Sequence, residues 1–83
     1  MFNPPVTVDM LRNNQTARDV VADALVKYIM AEADRMGKPI TYEKAAFLYL
    51  TTDPETLLGR HWAAKEQELF EDLAAHINKP YLN

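Results

Sequence analysis

Three sets of helix start and stop signals divide this 83-residue chain, and they decide which side chains can share a face. Thr16, with Asp19 three residues on, opens an apolar-periodic run that Gly37 and Pro39 close, in the order expected of a helix end. Asp53, Pro54 and Glu55 place a capping acceptor, a proline with no N–H to satisfy and an anion at the positive dipole end in consecutive positions. Asn78, Lys79 and Pro80 supply a further stop.

Between these signals the apolar residues recur at helical spacing. A first long helix from Ala17 to Met36 gathers Val21, Leu25, Ile29, Ala33 and Met36 on one side, with Asp19, Asp23, Lys27 and Asp34 opposite. Val20, Ala24, Tyr28 and Ala31 fill one flank and Val26 and Met30 the other, so the polar stripe is narrow and a partner is expected to cover part of this helix. Thr41 caps a second helix through Ala45, Ala46, Phe47, Leu48, Tyr49 and Leu50, although Phe47 to Thr52 also has strand propensity. The third long segment, from Pro54 to Ile77, carries Leu58, Trp62, Leu69, Leu73 and Ile77 on one amphipathic face, and Gly59 marks a place where it can kink or break. Ahead of these, residues 1 to 6 read as an extended lead through Pro4 and Pro5, and Val8 to Arg12 as a short helical turn broken by Asn13 and Asn14. Residues 79 to 83 form a short tail.

The expected fold is all-α: one domain, a small three-helix bundle with a short additional N-terminal helical turn and the first and third long helices antiparallel. A chain of this length has room for a single core. Its 48% apolar and 25% charged residues, with two glycines, suit a soluble helical protein. With no cysteine there is no disulfide, thiolate zinc site or cysteine nucleophile, and the amino terminus has no pattern of a secretion signal. Nothing approaches the roughly 20 apolar residues of a membrane span, so a cytoplasmic protein with no membrane contact is expected. The net charge of -3 arises wholly from Asp53 onward, because residues 1 to 52 balance six basic against six acidic groups. Such a balance weighs against nucleic acid as the main partner.

Glu66 falls between Trp62, Leu69, Phe70 and Leu73 on the wheel, where an unpaired carboxylate is expensive, so it either pairs with Arg18, Arg35 or Lys44 or is presented to a partner. Glu68, Asp72 and His76 succeed one another every four residues with His61 nearby, yet a closed metal site needs ligands from a second element, and a solvated acidic face is the simpler reading. There is no serine, no cysteine and no glycine-rich phosphate loop, so neither catalysis nor a cofactor is expected. The aromatic and Met residues Phe2, Tyr28, Met30, Tyr42, Tyr49 and Tyr81 exceed what a core of this size encloses.

Ile40 to Leu48 followed by Pro54 to Leu58 resembles the helix-turn-helix of excisionase-like domains, in which a capped helix with paired alanines leads into a recognition helix. The turn departs from that pattern in lacking glycine at Leu50 or Thr51. The resemblance implies DNA binding through residues 41 to 65, with Arg60, His61 and Lys65 at the groove. Asp19, the Asp34-Arg35 pair before Pro39 and the run Pro54 to Leu57 are also similar to the theta subunit family of bacterial replicative polymerase, small helical accessory chains.

The leading functional expectation is a non-catalytic protein-interaction module: an accessory subunit, a small inhibitor or adaptor of a larger protein, or a homodimer built on the first long helix. Its contact residues are then Tyr28 and Met30 on the flanks of that helix, Glu66, and an acidic face of Glu68, Glu71 and Asp72 suited to a basic partner patch.

Overall fold

The computed structural model describes residues 5–82, and the side chains of residues 5–79. Four helices follow one another, α1 (Val8–Arg12), α2 (Gln15–Arg35), α3 (Tyr42–Thr51) and α4 (Leu57–Leu82), with no strand among the described residues. The protein is a small all-α bundle in which the long helices α2 and α4 run antiparallel: Ala17 and Val21 pack near Phe70 and Ala74, whereas Leu25 and Ile29 pack near Trp62.

The short N-terminal turn forms where the sequence places it. The Thr7 hydroxyl accepts the Met10 N–H at 3.2 Å and α1 ends at Asn13. Because α1 ends there, Asn14 is the next residue free to take an extended conformation, and its side chain accepts the Ala17 N–H at 2.9 Å. α2 therefore begins at Gln15, two residues before the sequence expectation, and Asn14 rather than Thr16 is its cap. Its far end is as expected. Gly37 takes a left-handed φ of 77°, and the N–H groups of Gly37 and Lys38 return to the carbonyls of Asp34 and Ala33 at 3.0 Å each.

Thr41 caps α3 by accepting the Lys44 N–H at 3.1 Å. Fully buried Ala45 lets α3 approach the other helices closely, and that contact decides for helix against the strand propensity of Phe47 to Thr52. The hydroxyls of Thr51 and Thr52 then bond the carbonyls of Phe47 and Leu48 at 2.7 and 2.6 Å, satisfying groups at the helix end.

The expected start of the last helix is corrected. Asp53 does not cap it: its carboxylate accepts the Glu55 N–H at 2.9 Å, and its carbonyl accepts both the N–H and the hydroxyl of Thr56. This turn hands the capping role to Thr56, whose hydroxyl accepts the Gly59 N–H at 3.0 Å, so α4 begins at Leu57 rather than Pro54. Gly59 neither kinks nor breaks the helical run. A Cβ at that position would stand 2.1 Å from the Asp53 carbonyl oxygen, so the missing side chain lets the turn fold back against the helix. At the other end α4 continues to Leu82, through the residues expected as a stop and tail. Asn78 is diverted from terminating the helix: its side chain accepts from the Val6 N–H and donates to the Val6 carbonyl, both at 2.8 Å, tying the extended lead to α4.

The core has two lobes. Leu11, Ala17, Val21, Phe70 and Ala74 bury one another at the α1 end, and Leu25, Val26, Ile29, Ala45 and Trp62 do so at the α3 end, with Leu69 packing against both. The described residues accordingly span 51 × 23 × 20 Å. Two residues of the expected apolar faces lie outside: Met36 is 77% exposed, because the helix terminates beneath it, and Leu58 is 49% exposed in the first turn of α4. Among the described residues, no helix is long and apolar enough to cross a membrane.

Candidate functional site

The expected contact residues fall into three places. Tyr28 and Met30 are half-buried against the α3-end lobe. Tyr28 is also engaged with α4: its ring lies under the Lys65 ammonium at 4.8 Å, and its hydroxyl is 3.3 Å from His61 Nε2. That nitrogen donates its proton to Glu32 Oε2 at 2.6 Å, while the Trp62 indole N–H donates to Glu32 Oε1 at 3.1 Å. Burial raises the pKa of Glu32, but the hydrogen bonds from His61 and Trp62, with Tyr28 adding to them, outweigh it and hold the carboxyl below its ordinary value. Burial, followed by the Glu32 carboxylate, pushes the Tyr28 phenol up. The α2–α4 seam therefore carries a polar clamp whose donors and acceptors are matched.

Glu66 is satisfied within the chain, though not by the residues expected. Arg12 reaches Glu66 Oε1 at 3.2 Å and the Tyr49 hydroxyl donates to Oε2 at 2.5 Å, so Arg12 takes the place expected of Arg18, Arg35 or Lys44. The same guanidinium bonds the Gln67 side-chain oxygen and lies 4.6 Å over the Phe70 ring. Burial pushes the Tyr49 phenol up to about 12, and the Glu66 carboxylate adds to the shift. Three residues distant in sequence thus link α1, α3 and α4 at one point. The wheel located the half-buried acid; its partners depend on how α1 and α3 lie against α4, which no helical period encodes.

Glu68, Glu71 and Asp72 all lie exposed on α4, with Glu68 3.2 Å from the Lys65 ammonium and Glu71 accepting from Gln67. No group of three or more His, Asp or Glu residues able to hold a metal occurs among the described residues. The residues that the helix-turn-helix resemblance places at a groove are each engaged within the chain. Arg60 faces Glu55 at 3.8 Å, His61 is held by Glu32, and Lys65 lies between Tyr28 and Glu68.

α3 forms as the sequence reading expected, but that reading assigned no face to its apolar run. Phe47 and Leu50, one turn apart and turned away from buried Ala45, are 58% and 79% exposed. Grooves of about 340 and 300 Å³ lie beside Leu50, the first between α3 and α4 and the second between α2 and α3; Tyr49 and Leu50 line both, and Phe47 lines neither. A third, of about 320 Å³, opens on the α1 side of Tyr49 and carries Arg12 and Arg18. The available signal was the uninterrupted apolar run from Ala45 to Leu50: a helix of ten residues lying on one side of a bundle cannot bury side chains all the way round. Phe2 lies outside the described residues, as does the side chain of Tyr81.

No family model matches this chain, and no curated protein or solved structure matches it either.

Proposed function

We propose that the protein is a non-catalytic interaction module, an accessory subunit or a small inhibitor or adaptor of a larger protein, working in the cytoplasm. The observation that carries this reading is the outward face of α3, where Phe47 and Leu50 stand in water beside grooves deep enough to receive side chains. Large apolar side chains held in water favour association, because covering them releases about 25 cal/mol per Å². The acidic C-terminal half of α4, with Glu68, Glu71 and Asp72 exposed, supports a second contact that steers a basic partner by long-range attraction.

Chemical cross-linking in cells, followed by affinity capture of the full chain, tests the reading against two variants: Phe47→Ala with Leu50→Ala, and Glu68→Gln with Glu71→Gln and Asp72→Asn. The first pair is expected to abolish capture of a stoichiometric partner. The acidic triple variant is expected to weaken it and flatten its salt dependence. Light scattering at known concentration identifies the case in which that partner is a second copy. A shift of random duplex DNA at low salt, lost when Arg60 and Lys65 are neutralised, would overturn the proposal in favour of a nucleic-acid binder.

A further inference from the structure

We infer that the α3 ridge and its two flanking grooves form a docking site for a cationic amphipathic segment of the partner. This inference rests on the interaction reading and adds the place and chemistry of contact. Among the described residues, every charged side chain lining the two grooves beside Leu50 is an acid: Glu66 in the α3–α4 groove, and Asp19 and Asp23 in the α2–α3 groove. Among the described residues neither groove is lined by a lysine, arginine or histidine; Arg12 and Arg18 line the third groove, which Asp19 and Glu66 also border. The apolar lining is supplied by Trp62 and Ala63 on one side and Val26 and Ala46 on the other.

The carboxylates are not equally available. Glu66 is shared between Arg12 and Tyr49, and Asp23 between Lys27 at 2.9 Å and Tyr42 at 2.8 Å. Asp19 accepts one hydrogen bond, from the Gln15 amide, and faces no cation within ion-pair distance among the described residues. It is therefore the acid best placed to receive a lysine or arginine. Near the ridge itself the Lys44 ammonium stands 5.8 Å over the Phe47 ring, so an incoming segment meets Leu50 and the grooves with its apolar and basic groups and displaces Lys44 from the ring. Each groove, at about 340 and 300 Å³, is at the lower bound of a small-molecule pocket and suits one or two side chains from an apolar stripe. An acidic segment would bring like charges together over the same lining.

The test uses the full chain and two synthetic amphipathic peptides of about 18 residues, long enough to fold on contact. They share one leucine stripe, and their polar faces are all lysine in one and all glutamate in the other. Trp62 is the single tryptophan of the chain and lines the α3–α4 groove, so its fluorescence reports occupancy there; backbone amide shifts report the rest. The lysine peptide is expected to perturb Trp62 and the amides of α3, and to weaken as salt is raised. Leu50→Ala and Asp19→Asn, both at exposed positions, should each raise its Kd by about five- to tenfold with unchanged helical circular dichroism. Equal affinity for the glutamate peptide, or a Kd indifferent to both substitutions, would overturn the inference. So would shifts confined to Glu68, Glu71 and Asp72; with capture intact, that outcome leaves the interaction reading in place and moves its contact elsewhere. Failure of the wild-type chain to capture any stoichiometric partner in cells counts against the broader reading.

Discussion

Gly37 and Gly59 are needed for different reasons, and the difference sets the expected damage. At Gly37 the φ of 77° is disfavoured for a side chain, yet nothing lies within 4 Å of where a Cβ would be, so Gly37→Ala should cost about 1 kcal/mol. At Gly59 the Cβ would overlap the Asp53 carbonyl and the Pro54 backbone, which cannot swing aside as a side-chain end can. Gly59→Ala should therefore cost about 3 kcal/mol or more and loosen the turn that sets up α4, a difference readable from urea midpoints. Tyr49 supplies a second test at this scale. Its pKa is raised to about 12, so the fold favours the protonated phenol: that stabilisation is complete below the ordinary tyrosine value of 10.0 and is lost as pH rises through 12. Spectrophotometric titration should find a tyrosine ionising near 12, and Glu66→Gln should bring it down, because the carboxylate that adds to the shift is gone. That Glu66 needed pairing was legible in its position on the wheel. Tyr49 and Arg12 as its partners were not, since residues 17 and 54 positions away meet it only through the fold.

Among the elements, α1 is the one whose place depends on a few contacts. Five residues do not make a helix that persists alone; α1 is held by buried Leu11, by Arg12 bridging to α4, and by the Asn78 side chain gripping the backbone of Val6. Asn78→Ala removes both hydrogen bonds to Val6, worth about 1 kcal/mol each, and should raise hydrogen exchange in α1 well before the α2–α4 core opens. The seam between α2 and α4 predicts an acid-side effect. Glu32 has a lowered pKa in the fold, so its stabilisation is present above the ordinary carboxylate value and is lost as pH falls through the lower, folded one. The urea midpoint of the wild-type protein should drop across that acid interval, and Glu32→Gln should reduce the slope, with Asp23, whose pKa is also lowered, by Lys27 and Tyr42, contributing to what is left. Helix ends were legible where the cap is purely local, at Thr7, Thr41 and Gly37. They were misread at Asn14, Thr56 and Asn78, where a neighbouring turn or a distant backbone competes for the same hydrogen-bonding groups.

For the molecule as a whole, two lobes of core share one pair of long helices. Leu25, fully buried at the α3 end, should cost about 2–5 kcal/mol when cut to Ala, a large part of the roughly 5–15 kcal/mol that hold a domain together. Met36→Ala, at a position that the wheel also assigns to the apolar face, should cost under about 0.5 kcal/mol, because the side chain is 77% exposed. Comparing the two by urea unfolding separates periodicity from actual burial. The sequence by itself determined the helical class and the number of segments, because capping chemistry and a period of 3.6 residues act over a few neighbours and need no tertiary partner. The tertiary structure alone decided that α3 packs with Ala45 inward and Phe47 and Leu50 outward, that α1 reaches Glu66, and that the charged side chains lining the grooves beside Leu50 are acids among the described residues. Those outcomes depend on the direction of one helix relative to another. A short helix that is apolar on every side contains no local term that selects the side to be buried.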